Sequence, residues 1–82
     1  MRPRASNLEE LVEFLATSLV EEPGAVRVSS RSYRDRIVLR LRVAPEDTGR
    51  VIGKRGRVAN AIRSVLRVAA LPEDRETVLK IL

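Results

Sequence analysis

Val51-Ile52-Gly53-Lys54-Arg55-Gly56-Arg57-Val58-Ala59-Asn60-Ala61-Ile62 sets two glycines three residues apart, between an aliphatic pair and a segment of helical periodicity. Val58, Ile62, Val65, Leu66 and Ala69 keep that periodicity as far as Ala70, and Leu71-Pro72 ends it. On the other side, Ala44-Pro45-Glu46-Asp47 opens a short helix that reaches Ile52, with proline and acids where a first turn accepts them. Gly53–Gly56 therefore joins two helices. Glycine at both ends opens backbone conformations closed to other residues and lets a sugar-phosphate chain come close. The second helix begins with unsatisfied N–H groups, Lys54 and Arg55 supply charge, and Arg50 and Arg57 lie about one turn to either side. An ordinary helix connection also uses glycine with exposed Lys or Arg, so spacing alone leaves two readings. Nucleotide hydrolysis is disfavoured, because G-x-x-x-x-G-K-[ST] is absent and Gly49, Gly53 and Gly56 do not form G-x-G-x-x-G after a strand.

Upstream, Leu8, Leu11, Val12, Leu15 and Leu19 predict a first helix over 7–20. Ser6 and Glu9 read as its capping box, and Pro23-Gly24 stops it. Val26 and Val28 alternate with polar residues, Tyr33-Arg34-Asp35 makes a turn, and Ile37, Leu39, Leu41 and Val43 alternate with Arg36, Val38, Arg40 and Arg42. Two antiparallel strands follow, the second covering a core with one face and offering Arg40 and Arg42 with the other. Residues 77–82 are β-prone enough for a third strand. The order is α-β-β-α-α-β, an α+β domain with helices on one face of a three-stranded sheet. Residues 1–5 are expected to form a flexible tail on a single domain. Phe14 is expected in the core or at the edge of the first helix, and Tyr33 in the turn, packed over the hairpin.

The chain has 82 residues, and 16 Lys or Arg against 11 Asp or Glu give a formal charge of +5. A domain this small buries about 60% of its unfolded surface, so a large catalytic cleft is not expected and association with a partner aids stability. Cysteine and histidine are absent, which removes thiol nucleophiles, disulfides, the usual zinc ligands and the commonest general base. No cofactor or metal is implied, and an enzyme is disfavoured because Ser and Asp occur with no base arranged beside them. With neither a membrane span nor a signal peptide in the pattern, the cytoplasm is the expected location. Between Thr48 and Pro72 there is no acid, while Arg50, Lys54, Arg55, Arg57, Arg63 and Arg67 all fall there. Such an electropositive segment favours a polyanion, most simply nucleic acid, although an Arg-rich composition also accompanies heat adaptation.

The aliphatic pair, the G-x-x-G turn and the aliphatic-spaced helix together resemble the KH domain, which clamps about four nucleotides. The element order resembles the type II arrangement and covers 7–82. Ala44-Pro45-Glu46-Asp47 and Gly49–Gly53 leading into the loop, in a free-standing domain of this size, resemble the KhpA family of small bacterial RNA-binding proteins. The resemblance implies single-stranded RNA in a groove beside the loop, backbone phosphates on Gly53–Gly56 and bases pointing away. The groove floor would come from Ile52 and Val58 and from the second strand around Val38 and Arg40. The scarcity of aromatics argues against stacking platforms of the RRM or OB kind. An Asp at Gly53 or Gly56 is then expected to leave the fold intact and abolish binding.

The final helix carries more apolar positions than one core stripe needs: Ala61, Val65 and Val68 widen the arc to roughly 200°. They are either buried under the first helix or the C-terminal strand, or form a dimer contact. The family resemblance implies a homodimer and pairing with a larger KH protein of the KhpB type, also called Jag or EloR, on one shared surface. Two functions follow: a non-enzymatic RNA chaperone or post-transcriptional regulator, or an interaction module whose main task is such pairing, in cell-envelope or cell-division regulation.

Overall fold

A computed structural model describes residues 5–82, with side chains from Asn7 onward. Helix α1 spans Ala5–Leu19, strand β1 Arg27–Ser32, β2 Arg36–Arg42, helix α2 Thr48–Ile52, α3 Arg57–Ala69, and β3 Glu76–Ile81. The expected α-β-β-α-α-β order is the observed one. Short 3-10 turns at Pro23–Ala25, Pro45–Asp47, Lys54–Gly56 and Leu71–Glu73 join the elements, and three of them contain the prolines that stop the preceding element. The capping box expected at Ser6 and the tail over 1–5 fall outside the described side chains and residues, except that Ala5 already belongs to α1.

The sheet has the order β1-β2-β3, with β1 antiparallel and β3 parallel to the central β2. Alternation decides which way each strand faces. Ile37, Leu39 and Leu41 are fully buried beneath the helices, and Val38, Arg40 and Arg42 turn to the open side. On β1, Val28 pairs with Leu41 and Ser30 with Leu39, so both face the helices, and the Ser30 hydroxyl donates to the Glu9 carboxylate of α1. Leu8, Val12 and Ala16 of α1, Val51 of α2, and Ile62 and Leu66 of α3 close the core with Leu79 of β3. A parallel β2–β3 pair needs a crossover, and α2, the loop and α3 are that crossover, which is why the loop stands on the helical layer.

Asp47 ties this layer together. Its carboxylate is 1% exposed, yet no side chain caps α2. It accepts instead from the backbone N–H groups of Glu21 and Glu22, both at 3.1 Å, and forms an ion pair with Arg50, whose Nε lies 3.1 Å away. Sequence reading treats Asp47 as one of two acids opening a helix; the structure makes it the bridge from the end of α1 to the start of α2. Two further arginines are structural. Arg63 donates to the Leu79 carbonyl and to Asn60, and Arg75 joins Glu73 to the Tyr33 carbonyl.

Truncating Ile62 to Ala is expected to lower stability by about 2–5 kcal/mol in urea denaturation, as for a buried aliphatic side chain; a change near zero would remove Ile62 from the core. Asp47→Ala should cost about 1.5–3 kcal/mol, because two part-buried N–H donors lose a charged acceptor. Arg50→Ala should cost less, its side chain being half exposed, and equal losses would contradict the bridging role.

Candidate nucleic-acid interface

Helix α2 ends because Gly53 turns to φ 75, ψ 172, after its N–H has donated to the Gly49 carbonyl at 2.8 Å. Glycine is needed here twice over. The conformation disfavours any side chain, and a Cβ would stand 2.8 Å from the backbone nitrogen of Val58 and 2.9 Å from its Cβ. Arg55 and Gly56 follow in the left-handed region, at φ 58 and φ 75. A Cβ on Gly56 would meet nothing closer than Asn60 Nδ2 at 3.9 Å, so that position is fixed by conformation alone. The expectation that Asp at either glycine spares the fold is thereby corrected: at Gly53 it collides with the first turn of α3, and Gly56 is the cleaner probe.

The turn is closed by Gly56 N–H to the Gly53 carbonyl at 3.1 Å and by Arg57 N–H to the Lys54 carbonyl. Arg55 holds a left-handed conformation that costs a non-glycine residue roughly 1–2 kcal/mol. Its side chain is exposed, as are those of Lys54 and Arg57, and none of the three makes an ion pair among the described residues. No side chain caps the amino end of α3 at Gly56, so the positive end of that helix opens beside three cations. A site with fixed N–H groups, no Cβ at its edges and unneutralised charge suits a phosphodiester.

The other expected site residues are not all gathered here. Ile52 is exposed next to Gly53 and Val58 is half-buried behind it. Arg50 is engaged by two carboxylates, with Nη2 2.6 Å from Glu21 Oε1 besides its contact to Asp47. Arg40 lies on the open side of the sheet, away from the helical layer that carries the loop, and Val38 with it. The structure does not bring Val38 and Arg40 beside the loop as a groove floor. An apolar groove of about 400 Å³ runs between α1 and α3, with Phe14, Leu15 and Leu19 on one side, Val58, Ala61 and Val65 on the other, and Arg57 at its lining. Phe14 is 67% exposed, at the edge of α1 and not in the core. Ala61, Val65 and Val68 are exposed too, covered neither by α1 nor by β3. The sequence pattern does not place α1 at this groove. Leu15 and Leu19 belong to the same periodic set as the buried Leu8 and Val12, and periodicity does not say where a neighbouring helix stops covering it.

Among the described residues no helix is long and apolar enough to cross a membrane, and no cluster of His, Cys, Asp or Glu is arranged to hold a metal. Two solved structures of Era share the fold. One is an Aquifex aeolicus variant bound to GDP and aluminium fluoride, with TM-score 0.67 and 19% identity over 99% of this chain and 31% of that one. The other is Era in complex with MgGDPNP and nucleotides 1506–1542 of 16S ribosomal RNA, with TM-score 0.68 and 20% identity over 96% of this chain and 30% of that one. Relatives of similar length are nearer in sequence. RNA-binding protein KhpA of Clostridium perfringens is 47% identical over 75 residues, covering 92% of this chain and all of that protein. The protein of the same name from Streptomyces coelicolor is 48% identical over 59 residues, 72% of this chain and 75% of its own. Residues 9–81 match the family described as KhpA/KhpB, KH domain. The type II arrangement of helices on a mixed three-stranded sheet, the Gly53–Gly56 turn between α2 and α3, and these matches lead to one assignment: the chain belongs to the KhpA/KhpB family of KH domains.

Proposed function

We propose that this chain binds single-stranded RNA without catalysing a reaction, by holding the sugar-phosphate backbone over Gly53–Gly56. The observation that carries this reading is the turn itself: two glycines and Arg55 at positive φ, an uncapped α3 amino end, and three unpaired cations in sequence around it. Lys54, Arg55 and Arg57 neutralise phosphates, and Ile52 and Val58 give the adjoining bases an apolar surface. Relatives named for RNA binding, which this chain matches over most of its length, support it. A domain with no base-stacking aromatics at the turn holds RNA mainly by its backbone, as suits a small RNA chaperone or post-transcriptional regulator.

A second role rests on a separate observation. Phe14, Val65, Val68 and Leu71 are all exposed, and a monomer has no use for so many apolar side chains on one layer. Ala61, Val65 and Val68 form the contact of a homodimer, and the same surface serves pairing with a larger KH protein of the KhpB, Jag or EloR type. That pairing would link the chain to cell-envelope or cell-division regulation.

With three or four phosphate contacts, the logarithm of RNA affinity should fall against the logarithm of salt with a slope of about −2 to −3, at roughly −0.7 per contact. Gly56→Asp should keep the wild-type circular dichroism spectrum and lose binding; a folded variant that binds normally would reduce the turn to a helix connection. Val65→Lys with Val68→Lys should shift the protein to monomer in sedimentation equilibrium while retaining its fold, and an unchanged mass would place any dimer contact elsewhere.

A further inference from the structure

The open face of the sheet is a second charged surface, separate from the loop. Register places Arg27 directly opposite Arg42 across β1 and β2, and Arg40 directly opposite Lys80 across β2 and β3. Arg31 stands opposite Val38 on the same face. Like charges facing each other across strands destabilise a sheet. All five cations are exposed, and none makes an ion pair among the described residues; Arg27 alone of them also donates from Nη1 to backbone carbonyls, those of Gly24 and Val26 at 2.8 Å. The acids near them are confined to one end, where Glu76 is the register partner of Arg36 and Asp35 pairs with Arg36 at 3.3 Å. Between the cations runs an apolar strip. Val38, Val78 and Leu82 line a groove with Arg31, Arg40 and Lys80, and Tyr33 closes its end with the Arg36 guanidinium 4.4 Å from its ring centre.

We infer that this face is a second RNA-binding surface, which takes the phosphodiester backbone of single-stranded RNA on Arg27, Arg31, Arg40, Arg42 and Lys80. The charge pattern calls for a polyanion with repeated charges. Same-face neighbours along a strand are about 6.6 Å apart, so Arg40 and Arg42 stand one such step apart on β2 and Arg27 and Arg31 two steps apart on β1, two short rows that an extended chain of phosphates can follow. The apolar strip gives bases a surface between those rows, as grooves for single strands do. The inference rests on the proposed RNA binding at the loop and extends it. An RNA held at Gly53–Gly56 has its continuation tethered at high local concentration beside the sheet. The longest dimension of the domain is 34 Å, so a strand of about 10 nucleotides spans it at roughly 3.4 Å each when stacked, and fewer suffice when extended.

The test compares a single-stranded RNA of about 5 nucleotides, enough for a KH loop that clamps about four, with one of about 20. Salt titrations are run on the wild type, on Gly56→Asp, and on a triple variant, Arg31→Gln, Arg42→Gln, Lys80→Gln. The longer RNA should show a steeper slope than the short one on the wild type. The triple variant should flatten the long-RNA slope by about 2, at roughly −0.7 per contact, and leave short-RNA binding unchanged. Gly56→Asp should lose the short RNA and keep weak, salt-sensitive binding of the long one. Equal slopes for wild type and triple variant on the long RNA would overturn the inference while leaving the loop reading intact. Were that equality joined by lost binding to phosphatidylglycerol vesicles or to an acidic protein, the face would belong to that partner instead. A wild type that binds neither RNA would overturn both readings.

Discussion

The collision that a side chain at Gly53 would make with Val58 fixes the geometry on which the site depends. At 2.8 Å from the Val58 nitrogen, a Cβ would push the start of α3 away from the end of α2. Because α3 is also held on the sheet through Ile62 and Leu66, it cannot retreat without opening the core. The chain therefore reverses within one 3-10 turn. Its left-handed residues, Arg55 and Gly56, are forced outward with it. Exposure of Lys54 and Arg55 follows from a packing constraint, and the same constraint leaves the amino end of α3 without a capping side chain.

The arginines divide into two groups by what they touch. Arg50, Arg63 and Arg75 bond to carboxylates or carbonyls on other elements, and they fasten α2 to α1, α3 to β3, and β3 to the hairpin. Arg55 and Arg57 beside the turn, and Arg31, Arg40 and Arg42 on the sheet, have no acidic partner among the described residues. Net charge alone would count all of them toward binding. The bifurcation matters for Arg50 especially, which a one-turn spacing places with the loop and which Asp47 and Glu21 hold for structural purposes. A guanidinium with five donors in a fixed fork is suited to such bridging between elements.

Elements whose signal is local were legible in the sequence. The alternation of Ile37, Leu39 and Leu41 gave β2 and its buried face, and Gly53 and Gly56 gave the turn, because both depend on residues a few positions apart. Burial of Ala59 and Ala70 was less visible, since each sits at the margin of its element where a neighbour decides its fate. Arg40 shows the limit more sharply. Alternation correctly turned it away from the core, but only the placement of α2 and α3 on the opposite side of the sheet separates it from the loop. Phe14 shows the same limit: it lies at the edge of α1, one of the two places expected for it, but only the width of the gap to α3 determines that it borders a groove.

Small size connects these surfaces. An 82-residue domain commits one side of its sheet and one side of each helix to a single core, so its remaining faces are exposed whatever their chemistry. Here the exposed faces differ in kind: the helical layer presents apolar Phe14, Val65 and Val68, the turn presents cations on strained backbone, and the open sheet presents paired like charges. Neither apolar exposure nor cross-strand repulsion stabilises the isolated fold. Either would be relieved by a partner that covers or neutralises the face, and the chemistry of each face limits which partner would do so: an apolar surface for α1 and α3, and a polyanion for the turn and the open sheet. A ligand that neutralises or covers such a surface in the folded state alone would shift the folding equilibrium toward that state, which couples stability to binding.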